Sequence, residues 1–131
     1  MKRVAIYVRY GRDAKDTDKT IEQKLKSFIK KMPDWKCVNL FVDDGFSGLD
    51  KARPELNKMI AACEKGTVDI VIVESLKHIS RDFMYASKLI SDIKNLGVDI
   101  YSESTKQFLT NGPLWNLQTG EYNANRQKNN K

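Results

Sequence analysis

Arg3-Val4-Ala5-Ile6-Tyr7-Val8-Arg9-Tyr10-Gly11-Arg12 is the stretch on which the reading of this chain turns. Val4 to Val8 is a short apolar run rich in β-branched residues, the pattern of a strand buried on both faces. It ends in a basic loop, Arg9 to Arg12, that contains a glycine. Loop residues 11–19 lead to Thr20-Ile21-Glu22-Gln23, which predicts a capping box. Ile21, Leu25, Phe28, Ile29 and Met32 then recur at helical spacing until Pro33. Cys37 to Val42 reads as a second strand. Pro54 opens a helix with the apolar stripe Leu56, Met59, Ile60 and Cys63, and Gly66 closes it. Asp69 to Glu74 reads as a third, buried strand. Ser80 is placed to cap a helix carrying Phe83, Leu89, Ile90 and Ile93 inward and ending at Gly97. Val98 to Tyr101 is a fourth strand, and Gln107-Phe108-Leu109 a short edge strand.

Strands alternating with helices predict an α/β, three-layer sandwich around a mostly parallel sheet of four to five strands, flavodoxin-like in arrangement. Such sheets place their sites beyond the carboxyl ends of the strands. Arg9, Asp43, Asp44, Lys77 and Ser102 all fall at or just past those ends.

The 131 residues suit one domain, expected over 1–110, with 111–131 a polar, poorly ordered tail. From Gly120 on there is too little apolar surface to fold. A hydrophobic fraction of 40% and a charged fraction of 31% fit a soluble globular chain. No apolar run approaches the roughly 20 residues of a membrane span, and no signal-peptide core is visible, so a cytoplasmic protein is expected. Cys37 and Cys63 each sit in an apolar pattern and read as reduced core residues. Their spacing suits no zinc site, and His78 is the sole histidine, so neither metal nor cofactor is expected. The net charge of +6 favours an anionic partner, nucleic acid first. The competing reading is a solvated lysine-rich helix face formed by Lys24, Lys26, Lys30 and Lys31.

Four stretches taken together resemble the catalytic domain of the serine recombinases: Tyr7-Val8-Arg9-Tyr10-Gly11, Asp43-Asp44-Gly45-Phe46-Ser47-Gly48, Arg53-Pro54, and Lys77-His78-Ile79-Ser80-Arg81. The resemblance covers roughly residues 2–103 and implies site-specific DNA recombination or integration, as carried by mobile genetic elements. In that family a serine just after Tyr-x-Arg attacks DNA; here Gly11 stands at its position. The family's Asp-Arg-x-Ser-Arg motif becomes Lys77 to Arg81, with lysine for the aspartate and His78 for the first arginine. Arg9, Arg53 and Arg81 remain.

Strand transfer on DNA needs a hydroxyl to attack phosphorus and guanidinium groups to hold the anionic transition state. Glycine offers no attacking atom. A neutral histidine replaces a fixed charge poorly, and Lys77 reverses the sign at its position. Tyr10 is expected on the opposite side of the strand from Arg9 and Gly11, and Ser47 is expected to shape its loop. The resemblance therefore implies a degenerate recombinase domain that does not cleave DNA. Its expected partners are DNA phosphates, held weakly through Arg9, Arg12, Arg53 and Arg81, an active recombinase, or a second copy.

Each residue also has a structural reading. Arg9 can anchor Asp43 or Asp44, and Asp43-Asp44-Gly45 can be an ordinary turn with Ser47 and Gly48 completing the loop. Arg53 can be a helix-entry residue, Ser80 a cap and His78 an exposed loop residue. Tyr101, Phe108 and Trp115 can pack instead of stacking on bases. The family's long helix after strand four is not expected beyond Asn111-Gly112-Pro113, which would break it. Two other classes compete with the recombinase reading: a protein-interaction module without DNA binding, and a phosphoryl-binding domain using Asp43 and Asp44 with Mg²⁺. The cationic Arg9 at the end of strand one argues against the latter.

Overall fold

A computed structural model describes residues 1–11, 20–45 and 53–111. β1 (Lys2–Tyr10) is followed by α1 (Ile21–Lys31), β2 (Trp35–Asp44) and α2 (Pro54–Glu64). Then come β3 (Ile70–Val73), a single turn α3 (Leu76–Ile79), α4 (Phe83–Asn95), β4 (Asp99–Ser102) and β5 (Gln107–Phe108). The strands lie in the order β2-β1-β3-β4-β5. β1 to β4 are parallel, and β5 returns antiparallel to β4. The expected α/β sandwich is what forms.

Alternation along β1 splits the core in two. Val4, Ile6, Val8 and Tyr10 face α1 and meet Leu25, Ile29, Ile70 and Ile72. Ala5 and Tyr7 face the other layer with Val71 and Val73, against Leu56, Met59 and Cys63 of α2 and Ala86, Ile90 and Ile93 of α4. β1 and β3, with helices on both sides, are buried and need continuous apolar sequence. β2 is an edge strand, so only Phe41 and Asp43 of its ten residues are buried.

That edge position corrects one expectation. Cys63 is buried, but Cys37 is exposed. The pairing of β2 with β1 jumps from Val4–Cys37 to Ala5–Asn39, which leaves Val38 as the extra residue of a β-bulge. An apolar pattern cannot tell an edge strand from a central one.

The helix starts also differ in detail. Thr20 precedes α1 as expected, yet its side chain makes no capping bond. Ser80 is not the cap of α4; it ends α3, with its amide bonded to Leu76 O. Asp82 caps α4 instead, its Oδ1 accepting from Met84 N at 3.0 Å and Tyr85 N at 3.4 Å. Ser80 Oγ accepts from Asp82 N at 3.0 Å and so supports the true cap. One helical turn carries no periodicity to read, so α3 and the two-residue displacement of the cap were invisible in the sequence. Gly66 and Gly97, both at positive φ, end α2 and α4 as expected. Among the described residues no helix is long and apolar enough to cross a membrane.

Candidate functional site

β1 is the pivot of the sheet: the chain passes to β2 on one side of it and to β3 on the other. The crevice beyond its carboxyl end is where doubly wound sheets bind ligands. Side chains there form two levels, one under the edge and one on it.

The lower level is a buried brace. Tyr7 Oη donates to Asp43 Oδ2 at 2.8 Å. Asp43 also accepts from Glu55 N and Leu56 N, both at 3.0 Å. The carboxylate thus caps α2 from the neighbouring strand, since Arg53, the residue at the cap position, supplies no side-chain bond to it. Arg53 Nη1 donates to Tyr7 Oη at 3.2 Å and to His78 O at 2.9 Å, and Nη2 donates to Ile79 O. Its guanidinium stands 5.8 Å from the centre of the Tyr7 ring. Tyr7, Asp43 and Arg53 are at most 1% exposed. Burial pushes the Tyr7 hydroxyl well above its ordinary pKa, so it remains a protonated donor. Among the described residues, Arg53 Nε has no hydrogen-bond partner.

The upper level carries the sequence changes. Arg9, half-buried, donates from Nη2 to Lys77 O at 3.3 Å. Its backbone N reaches His78 Nδ1 at 3.5 Å, while His78 Nε2 lies 3.5 Å from Glu74 Oε1. Burial above all, with the nearby Arg9 and Arg53 and against the pull of Glu74, lowers the His78 pKa to about 4. The ring is therefore neutral at pH 7, and its bonds fit the tautomer protonated on Nε2. Only 13% of the side chain is exposed, which corrects the expectation of an exposed loop histidine. Lys77 and Arg81 are exposed.

Gly11 ends the described part of β1's loop. Among the described residues, a Cβ built on it meets no atom within 4 Å, and its φ lies outside the left-handed region. Neither the backbone conformation nor any described neighbour demands glycine there. Gly45, at φ +88°, does use its freedom, and its amide bonds Tyr10 O at 2.9 Å to tie the ends of β1 and β2 together. Arg12, Ser47 and Gly48 lie outside the described residues. Tyr10 points to the α1 face, as the alternation predicts, and donates from Oη to Glu22 at 3.4 Å.

Sequence reasoning missed an ionic chain on the same edge. Lys24 Nζ stands 3.2 Å from both Glu74 Oε2 and Glu103 Oε1, and Lys106 pairs with Glu103. Burial pushes the Glu103 carboxyl up, but its two lysines outweigh it and the net shift is downward. The signal was present: Glu74 and Glu103 each follow directly on a strand end. Tyr101 and Phe108 take the packing reading, with ring centres 4.9 Å apart and Tyr101 5.5 Å from Phe28. Trp115 lies outside the described residues. Among the described residues, no three His, Cys, Asp or Glu side chains gather as a metal site would require.

The family model for the resolvase N-terminal domain matches residues 4–119. The chain belongs to the resolvase family. Several solved structures share the fold of this resolvase domain. The N-terminal catalytic domain of TP901-1 integrase is 23% identical, with 98% of each chain covered and a TM-score of 0.76. A resolvase family site-specific recombinase from Streptococcus pneumoniae is 19% identical over 99% of this chain and 90% of its own, with a TM-score of 0.74. The C-terminal catalytic domain of ISC1926 TnpA, an IS607-like serine recombinase, is 25% identical over 77% of this chain and 70% of its own, with a TM-score of 0.67. No curated protein matches the sequence.

In this resolvase domain the two levels offer different chemistry. The brace holds the turn at residues 77–81 against β1 through the carbonyls of His78 and Ile79. The upper level presents cations and a neutral imidazole, and at position 11 no atom that can attack phosphorus.

Proposed function

We propose that this resolvase-family domain binds DNA through phosphates without cleaving it and acts as an accessory to recombination. Gly11 at the position of the attacking serine is the observation that carries this reading. Lys77 and His78 support it, since one reverses a charge and the other is neutral at pH 7 by virtue of its burial. Arg9, Arg12, Lys77 and Arg81 are the groups we assign to phosphate contact. Arg53, wholly enclosed and bonded to two carbonyls, serves here as the brace under them. The working unit is residues 1–110, with 111–131 an appendage, and the expected setting is the cytoplasm. Docking on an active recombinase is the form of accessory action that fits a domain keeping this scaffold.

The test is a salt titration of binding to a random pool of duplex DNA, with complexes checked under denaturing conditions. Three or four phosphate contacts give a log–log salt slope of about −3, with every complex dissolving on denaturation. Salt-insensitive binding, or an adduct that survives denaturation, would sink the proposal. No binding even at low salt would favour action through protein contacts alone.

A further inference from the structure

At the opposite, amino-terminal edge of the sheet, α1 and the start of β2 enclose a groove of about 490 Å³. Met1 and Trp35 contribute its accessible apolar surface, since Ile29 is only 3% exposed, and Lys26, Lys30 and Lys36 contribute its charge. Among the described residues, no acidic one lines it. Lys24, Lys58, Lys88 and Lys106 are each paired with a carboxylate. Among the described residues, Lys26, Lys30 and Lys36 have no such pair. Lys26 and Lys30 stand four apart on α1, a like-charge spacing that costs an isolated helix stability. The last-turn position of Lys30 is favoured by the helix dipole, but Lys26, in the middle of α1 and half-buried, lies outside that benefit. An anion would relieve this repulsion, and the Trp35 surface would reward an apolar side chain carried with it.

We infer that this groove docks an acidic peptide segment of a partner protein, with a bulky apolar side chain on Trp35 and Met1 and flanking carboxylates on Lys26, Lys30 and Lys36. The three cations converge on apolar surface instead of spreading along a polar track, which favours such a segment over a phosphate backbone. The groove and the candidate site lie at opposite ends of the strands, so this inference stands or falls independently of the DNA reading.

Cys37, which lines the groove and is exposed, provides the readout. Cys63 is buried, and burial pushes its thiol up to about 11, so alkylation of the folded protein reports Cys37. A random peptide library is panned on the full chain, and the enriched peptides are tested against iodoacetamide labelling. Enriched peptides should carry an aromatic or large aliphatic residue beside two or more carboxylates. At about ten times their Kd they should slow Cys37 alkylation about tenfold. The Lys26→Gln/Lys30→Gln/Lys36→Gln variant, folded by its melting curve, should lose the protection. Failure of any peptide to enrich, enrichment without acidic residues, or unchanged Cys37 labelling would overturn the inference. Protection of Cys37 by duplex DNA through the same lysines would overturn it in favour of a phosphate ligand.

Discussion

Tyr7, Asp43 and Arg53 lie under the carboxyl edge of the sheet, and Gly11, Lys77 and His78 lie at it. By the sequence resemblance, the three lower residues match the serine recombinase pattern and these three edge residues differ from it, while Arg9 and Arg81 beside them match. The lower group is at most 1% exposed and joins β1, β2, α2 and the turn at α3 into one unit. The fold alone accounts for its presence, because removing any one would strand buried polar groups. Of the upper residues only His78 is enclosed; Lys77 is exposed, and no described atom lies within 4 Å of a side chain at position 11. A matching set of family residues is thus evidence for a scaffold, while the edge residues bear on the chemistry.

The sharpest way to break this comparison is to remove the brace. Arg53→Met leaves the carbonyls of His78 and Ile79 without their buried donor, and we expect a loss of about 3–5 kcal/mol in urea unfolding. A loss under about 1 kcal/mol would show that the lower group is not what holds the edge together.

His78 tests the boundary between the levels. Its folded pKa of about 4 lies below the ordinary 6.5, so the unfolded chain takes up a proton that the folded one refuses. The stability this represents is complete above pH 6.5 and declines as pH falls towards 4, by up to about 3 kcal/mol. Unfolding free energies of the wild type and His78→Phe, compared across this window, should diverge by that slope. Parallel curves would place the imidazole in solvent.

Smaller effects sharpen the picture. Asp82→Ala should cost about 1 kcal/mol by removing the cap of α4, and Ser80→Ala less, since Ser80 only supports that cap. A larger effect at Ser80 would reverse the assignment. Gly11→Ser should change stability by no more than about 0.5 kcal/mol, because its side chain meets no described atom. A substantial destabilisation would mean that glycine is required there by the fold.

The sheet, its four parallel strands and the convergence of candidate residues on one edge were legible because they rest on local periodicity and on strand ends. The Gly45 turn and the Pro54 helix start were legible for the same reason: each is fixed by its own backbone preference. What could not be read was set by contacts distant in sequence. Asp43 looked like a turn residue, and its role as the cap of α2 depends on how β2 lies beside that helix. Arg53 looked like a phosphate-binding or helix-entry residue, and its burial beneath the carbonyls of His78 and Ile79 depends on packing distant in sequence. Cys37 looked buried because its neighbours are apolar, although β2 is an edge. Lys106 adopts φ +54°, a conformation sequence would assign to glycine, while its side chain pairs with Glu103 and lies 5.1 Å from the centre of the Phe28 ring.

The central claim is that the brace is intact and the chemistry was lost at the edge. Its most direct test compares the wild type with Gly11→Ser/Lys77→Asp/His78→Arg for adducts with a random duplex pool that survive denaturation. The account predicts none from the wild type and a serine-linked adduct from the triple variant. An adduct from the wild type, or none from a folded, DNA-binding triple variant, would contradict it.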